Sequence, residues 1–329
     1  MSFSIDHPES RLGWLIRMGW RWLLGFDFLH AFHNRHKLVT AEVVWTHTES
    51  QFLSVLLLFE LLRIKRDKRP RLIAQSVWLV DEWDRKPAVH KWLCRTLIRK
   101  ADVLTFHSPD NRARAHELFP GQKTELVLFG IPVERTVAPE FRASGPRLRL
   151  LAVGNDPQRD WATLIDAVAG MPDWHLRIVS QTCPSRLAEG VDNVEILPVS
   201  SNEELMSLYS SADLAIVPLV TNFHASGITA LEEAVLMGIP VIASDTGGLH
   251  AYFSDDMVTY VEPGNHADMR AAIEVLTSQP EARLAKARLA QTQTTHEGLS
   301  SFSFARRHVE ISRALLERGG LEAVSKVVE

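Results

Sequence analysis

Cysteine is nearly absent from this chain: its 329 residues contain two, Cys94 and Cys183, far apart and in no metal-ligand or redox spacing. That excludes a disulfide framework and favours a reducing, cytoplasmic setting. Long apolar runs are missing as well. The longest, residues 55–59 resuming past Glu60 at Leu61 and Leu62, falls far short of the roughly 20 residues a bilayer-spanning helix needs. Asp6 and Glu9 ahead of a Trp/Arg-rich stretch leave no pattern of a cleavable signal. Neither Gly-x-Gly-x-x-Gly nor a Walker sequence occurs, which removes the sequence support for a dinucleotide-dependent oxidoreductase or an ATPase. His47-Thr48-Glu49 has the form of a zinc-deaminase His-x-Glu, yet no Pro-Cys-x-x-Cys follows. His30, His33 and His36 have helical spacing but no neighbouring carboxylate or thiolate pattern, so an amphipathic helix explains them better than a metal does.

What is present describes a large α/β protein. At 46% hydrophobic residues the chain can bury a substantial core, and its length suits two domains. The net charge of −4 conceals a split, because the first 145 residues are net positive and the remainder net negative. Basic residues cluster at Lys65, Arg66, Lys68, Arg69 and Arg71, and again from Arg85 to Lys100, where Lys91, Arg95 and Arg99 share one helical face. No nucleic-acid module accompanies this charge, so no nucleic-acid partner is expected.

Hydrophobic period orders the rest. In the second half strands are expected at 148–153, 176–180, 214–219, 241–244 and near 258–261, with helices at 161–169, 203–211, 227–237, 267–276, 281–291 and 304–318. Repeated βαβ units with short connections mean a parallel sheet covered on both faces. The first half reads as a helix at 12–24, then strands at 42–46, 71–78, 103–106 and 125–129, with helices at 52–64, 89–100 and 111–118. It opens on a Trp-rich helix instead of a strand and Gly-rich turn, so this domain is either trimmed or unconventional at its start. Residues 136–147, with two prolines and no apolar period, read as the interdomain linker.

Residues 222–249, NFHASGITALEEAVLMGIPVIASDTGGL, carry the most chemical information. A small-residue turn, a helix with Glu232 and Glu233 inside it, an apolar strand and a second turn make half of a nucleotide site. Small residues let a phosphate approach the backbone, and the free amides at a helix N-terminus favour an anion. A carboxylate further along the helix can accept bonds from two ribose hydroxyls, each contributing about 1.5–3 kcal/mol. On a helix Glu232 and Glu233 point about 100° apart, so only one of them faces the site.

The second half resembles the nucleotide-sugar-binding domain of glycosyltransferase family 4, retaining enzymes of GT-B architecture. The matching pieces are Val153-Gly154, Arg159-Asp160, residues 164–167, the strand 213–218, Glu233-Ala234 with Gly238 and residues 240–242, Gly247-Gly248, and residues 261–264. The likeness covers about residues 147–278 and is weaker over 40–135, where residues 43–47, 101–108 and 128–131 are similar to strand ends of the family. It implies two Rossmann-like parallel-sheet domains facing a cleft: residues 1–140 on the acceptor side, 147–300 holding the nucleotide-sugar, and a C-terminal helix within 301–329 packing back on the first domain.

The resemblance also implies roles. Glu233 matches the second glutamate of the family's Glu, seven residues, Glu pattern, which holds the donor ribose; at the first glutamate this chain has Ala225, a departure. His224, Ser226, Gly227, Ile228 and Thr229 suit the phosphate and sugar turn, with Ser226 or Thr229 placed to cap the helix. Gly154 lies at the nucleotide turn, Arg159 takes the place of the basic residue over the diphosphate, and Asn155 replaces a second one. His47, at a strand end, is assigned to the donor sugar by the resemblance, and Glu49 and Ser108 are candidates for acceptor contact or the cleft floor. Without the resemblance, Arg159 is a solvated loop arginine before a helix capped by Asp160, and His47 an ordinary polar strand end.

The expected activity is therefore transfer of a sugar, with retention, from a nucleoside-diphosphate donor, UDP-sugar ahead of GDP-sugar, to a hydroxyl of a lipid, lipid-linked or polysaccharide acceptor. No Asp-x-Asp occurs, and a metal-free reaction without cofactor is expected. Two rivals stand: a non-catalytic transferase-like binding subunit, suggested by Ala225, and a sugar-nucleotide epimerase. In residues 12–28 the tryptophans and the Arg17/Arg21 stripe fit a helix lying in an anionic membrane interface, hence peripheral attachment to a cytoplasmic membrane face; a core helix with two exposed arginines fits them equally.

Overall fold

The computed structural model describes residues 11–140, 147–296 and 298–317. The chain divides into two compact units, one of residues up to Val127 together with those from Ala305, the other of Leu128–Phe304.

The N-terminal unit runs α1 (Arg11–Leu24), α2 (Phe28–His33), α3 (Arg35–Thr40), β1 (Val43–Thr46), α4 (Glu49–Leu61), β2 (Arg71–Gln75), α5 (Ala88–Ile98), β3 (Val103–Phe106), α6 (Pro109–Leu118) and β4 (Thr124–Leu126). Its four strands are parallel in the order β1-β2-β3-β4. Every residue of β3 is buried, as expected of a strand covered on both faces. Phe52, Leu56 and Phe59 of α4 pack with Leu72 and Phe106 in the core beneath that sheet. A buried ion pair closes its lower edge: Arg69 Nη1 lies 2.8 Å from Asp102 Oδ2, which also accepts the Leu72 amide at 2.8 Å. Two carbonyls take further guanidinium protons, so the charge is not left uncompensated.

The C-terminal unit runs β5 (Leu148–Val153), α7 (Trp161–Val168), β6 (Trp174–Val179), β7 (Val194–Leu197), α8 (Asn202–Ser211), β8 (Leu214–Val217), α9 (Ile228–Leu236), β9 (Val241–Ser244), β10 (Thr259–Val261), α10 (His266–Ser278) and α11 (Pro280–His296). Its six strands are parallel in the order β10-β9-β8-β5-β6-β7. After β5 the chain moves outward through β6 and β7, then returns to lay β8 against the other side of β5. That reversal opens a crevice at the carboxyl ends of β5 and β8, where open α/β sheets bind ligands. Among the described residues the strands of the N-terminal sheet follow one another in simple sequence order.

A last helix, α12 (Ser301–Leu316), contributes its residues from Ala305 to the N-terminal unit. There Trp45 Nε1 donates to Ser312 Oγ at 2.8 Å, and Arg307 meets Glu125 at 3.0 Å.

Both sheets are parallel, as the alternation of elements predicts, but several details differ. Strand β7 differs because it is a half-exposed edge strand, and the amphipathic helix expected around His30, His33 and His36 is two six-residue helices broken at Asn34. The break also takes His36 off the helix that carries His30 and His33. The division falls after Val127, upstream of the Pro-rich segment. Residues 128–140 belong to the C-terminal unit because they pack there: the Phe129 amide donates to Tyr252 Oη at 3.0 Å and the Val137 amide to Leu236 O at 2.8 Å. Residues 141–146, and the part of the C-terminal segment beyond 317, lie outside the described residues.

α9 ends in a Schellman turn, with the Ile239 amide donating to Ala234 O and that of Gly238, at φ 70°, to Val235 O. A Cβ at Gly238 would lie 2.5 Å from Val137 O, so glycine is required there for space as well as for φ. Inside the same helix sits a cost. Glu232 is 0% exposed and neither carboxyl oxygen has a hydrogen-bond partner; burial, and then the Glu233 charge, push its pKa well above the ordinary carboxylate value. A carboxyl whose folded pKa is raised keeps its proton while the unfolded chain releases it, so it removes stability as pH rises above about 4.5. Glu232→Leu is expected to raise stability at pH 8 by about 1–3 kcal/mol and to change it much less at pH 5. Urea unfolding at the two pH values measures this; an equal effect at both contradicts the protonated, unpartnered carboxyl.

Candidate functional site

Two loops face each other across the crevice between β5 and β8. The first follows β5 and contains Gly154, Asn155, Asp156 and Arg159; the second follows β8 and contains residues 220–227. They are joined by an antiparallel bridge between Arg159 and Leu219 and by the Asp160 amide donating to Pro218 O at 3.1 Å. Asp160 then caps α7, accepting from the Thr163 amide and hydroxyl at 3.2 and 2.7 Å, as the local sequence suggests.

Arg159 is not a solvated loop residue. Its side chain is 4% exposed, its Nε donates to Asp156 Oδ2 at 2.8 Å, and its Nη1 is buried with no hydrogen-bond partner. The guanidinium fills the space over two glycines. A Cβ at Gly154 would lie 2.2 Å from Arg159 Nε, and one at Gly227 would lie 3.0 Å from Nη1. Asp156 holds both loops, since its Oδ1 accepts the Ser226 hydroxyl at 2.8 Å while Oδ2 takes Arg159.

The first turn of α9 starts uncapped. Gly227, at φ 77°, is the N-cap and has no side chain to offer; Ser226 spends its hydroxyl on Asp156, and Thr229 is exposed without capping the helix. The expectation that Ser226 or Thr229 caps the helix is thus not met: the Ile228 amide donates to Ala225 O at 3.3 Å, and no side chain accepts from the amides that follow it. Uncapped amides and an unpartnered guanidinium nitrogen at one place form an anion cradle. Ile228 is buried in the core, and His224 is buried with its carbonyl accepting the Ser226 amide. Thr246 and Asn222 exchange hydrogen bonds at 3.0 and 3.2 Å, and Gly247 lies so near the His224 carbonyl that a Cβ would stand 2.6 Å from it. The two ends of residues 222–249 therefore meet in space.

Glu233 and Glu232 point apart, and Glu233 is the one turned to Arg159. Its Oε2 accepts from Tyr209 Oη at 3.0 Å. Burial raises the Glu233 pKa above the ordinary value, while the Tyr209 hydrogen bond and the Arg159 charge work against that rise. Tyr209, fully buried on α8, has its own pKa pushed up by burial and by Glu233, so it remains a donor. Neither Tyr209 nor Asp156 was found by sequence reasoning. The Asp156-x-x-Arg159 spacing was available as a signal, but nothing local marks Tyr209, which lies 24 residues from its partner.

Other expected residues have structural duties. Asn155 Oδ1 accepts the Gln181 amide at 2.7 Å and the Ser180 hydroxyl at 3.3 Å, tying the β5 and β6 loops together. Ala225 is buried in the apolar cluster of the unit. In the N-terminal unit, Ser108 is 0% exposed and caps α6, accepting from Asp110 and Asn111 amides. Glu49 accepts the Trp78 amide at 2.7 Å and that of Val77 at 3.4 Å, and burial still raises its pKa. Exposed His47 lines a cavity of about 960 Å³ together with Asp27, His30, Lys37, Trp45 and Gln51. The structure thus gathers Gly154, Asp156, Arg159, Ser226, Gly227 and Glu233 in one unit and leaves His47, Glu49 and Ser108 in the other.

With this geometry the chain has known likenesses. A family profile described as glycosyl transferases, group 1, matches residues 147–279. The D-inositol 3-phosphate glycosyltransferase of Mycolicibacterium smegmatis is 27% identical over 233 residues, covering 62% of this chain and 48% of that protein, so the chain spans about half the relative's length. The enzyme of the same name from Corynebacterium urealyticum is 24% identical over 89% of this chain and 72% of its own. Among solved structures, sucrose-phosphate synthase from Thermosynechococcus elongatus superposes with a TM-score of 0.74 at 19% identity, over 95% of this chain and 85% of that one. The Anabaena protein HepE in complex with UDP-glucose superposes at 0.69 and 13% identity, over 86% and 81%. These likenesses establish the fold: two parallel-sheet α/β units of the kind found in GT-B glycosyltransferases.

Because the Tyr209 hydroxyl favours the ionised form of Glu233, Tyr209→Phe is expected to raise the Glu233 pKa and to cost about 1 kcal/mol of stability. The carboxyl carbon shift of glutamate-labelled protein, titrated against pH, reads the first effect; an unmoved or lowered midpoint means the bond does not govern Glu233.

Proposed function

We propose that the C-terminal unit grips a nucleoside-diphosphate sugar and that the protein transfers the sugar to an acceptor hydroxyl, as a retaining transferase of glycosyltransferase family 4. The observation that carries this reading is the anion cradle at the switch point: the uncapped amides of α9 beside the unpartnered Nη1 of Arg159. The diphosphate belongs there, and the ribose belongs on Glu233, whose carboxylate accepts its two hydroxyls. HepE, bound to UDP-glucose, supports a UDP-sugar as donor ahead of a GDP-sugar.

Charge accumulates on the departing diphosphate in the transition state, where fixed donors give the largest benefit. In this reading Arg159 and the α9 amides stabilise that charge without a metal. In this reading neither carboxylate of the cradle is the nucleophile, since Asp156 holds Arg159 and Ser226 and Glu233 is given to the ribose. Same-face attack follows, with the donor phosphate taking the acceptor proton. His47 is carried to the sugar end by the resemblance alone, and the cavity it lines is assigned to a lipid, lipid-linked or polysaccharide acceptor.

Ala225 favours a second reading. It is buried among apolar side chains where the family supplies a glutamate for the sugar, as a unit that binds nucleotide without turnover would permit. Thermal shift with UDP and GDP, followed by transfer and hydrolysis assays on their sugars, separates the two. The transferase reading expects turnover, reduced about 100-fold or more in Arg159→Ala and in Glu233→Ala while both variants stay folded. Nucleotide binding with no turnover of any donor assigns a binding subunit, and unchanged kinetics in both variants removes the cradle from the mechanism.

A further inference from the structure

α1 is an amphipathic helix turned inside out. A surface helix normally buries its apolar stripe against the body of the protein and shows polar residues to water. Here the side toward the protein is only partly covered: Leu24 packs against the core, Arg17 meets Asp27 at 3.7 Å, and Trp20, still 40% exposed, sets its ring 6.1 Å from that of Phe28. The outward stripe is Trp14, Met18 and Trp22 at i, i+4 and i+8, with Leu15 and Leu23 beside it, all exposed; Trp22 is 82% exposed. Arg21 stands on the flank of this stripe.

The surface continues onto a second helix. His90 Nε2 of α5 lies 3.0 Å from Leu23 O, and the ring abuts Gly25. α5 then exposes Val89 and Trp92, at 64% and 65%, with Lys91 and Arg95 together on one side of them; Lys91 Nζ donates to Asp84 O at 3.2 Å and the Arg95 guanidinium lies 5.0 Å from the Trp83 ring. Neither α1 (RLGWLIRMGWRWLL) nor α5 (AVHKWLCRTLI) contains a single Asp or Glu. No described helix is long and apolar enough to cross a membrane. Exposed tryptophans and leucines flanked by cations and free of acids are what a helix lying in a bilayer interface requires. The same charge pattern opposes a second copy, because a two-fold contact would set Arg21, Lys91 and Arg95 against themselves.

We infer that the α1/α5 face docks on an anionic membrane surface, seating Trp14, Trp22 and Trp92 at headgroup depth with Arg21, Lys91 and Arg95 on acidic lipid. This does not rest on the transfer reading, since binding needs no donor. It deepens that reading by making the acceptor lipid-borne: Arg17 of the same helix lines the 960 Å³ cavity beside His30, Lys37 and His47.

Flotation of the intact protein with phosphatidylglycerol/phosphatidylcholine vesicles tests it. Expected are flotation on anionic vesicles at low salt, little on phosphatidylcholine alone, and release as salt rises. Arg21→Gln and Lys91→Gln should each weaken partition about fivefold, and Trp22→Ala with Trp92→Ala about tenfold or more, with unaltered circular dichroism because these side chains are exposed. Absence of flotation on anionic vesicles, equal binding to neutral ones, or indifference to all four substitutions overturns the inference. So does a dimer by sedimentation that the tryptophan pair of variants converts to monomer, which would make a second copy the occupant.

Discussion

The C-terminal crevice is organised around one guanidinium. Arg159 leaves a loop after β5, is fixed by Asp156, and lies over Gly154 and against Gly227; Gly154 is needed to make room for it, while a Cβ at Gly227 would meet Val217 Cγ1 at 2.5 Å first. Asp156 in turn takes the Ser226 hydroxyl from the loop after β8. One charged pair thereby locks two loops that share no sequence proximity, and it leaves Nη1 unspent at the start of α9. A buried hydrogen-bond donor without a partner is costly, and such a cost persists where a ligand repays it. The neighbouring Gly227 N-cap contributes in the same way, by supplying a left-handed turn and no side chain to compete for the helix amides.

α9 carries two adjacent carboxyls with opposite fates. Glu233 turns toward Arg159 and Tyr209 and has both a cation and a hydroxyl to favour its ionised form. Glu232, about 100° around the helix, enters the apolar core with nothing to receive it. The pair shows that charge in a helix sequence says little until the surroundings of each position are known. The same holds for Glu49 and Ser108, which look like site residues at strand ends and accept hydrogen bonds from backbone amides of neighbouring segments.

Much of this was legible in the chain. Alternating apolar strands and helices announce parallel sheets because strands covered on both faces are buried throughout and mostly apolar, as β3, β8 and β9 are. Segment 222–249 declares a turn, helix, strand and turn because small residues, periodic apolar positions and paired glycines each have local physical causes. The break at Asn34 that splits the helix expected around His30, His33 and His36 into α2 and α3 was invisible since no glycine or proline marks it, and Tyr209 was invisible since its role exists only when α8 is laid against α9.

Sequence by itself determined the α/β class and the turn, helix, strand and turn of residues 222–249, because periodicity, glycine placement and residue chemistry act over a few neighbouring positions; Arg159 and Glu233 were singled out by the family resemblance and not by local pattern. Tertiary structure alone decided that Arg159 is buried on Asp156, that Glu233 and not Glu232 faces it, and that the Trp-rich face of α1 looks outward. Each of these depends on groups brought together by sheet order and helix packing, and no local pattern encodes which side of a helix the rest of the chain will cover.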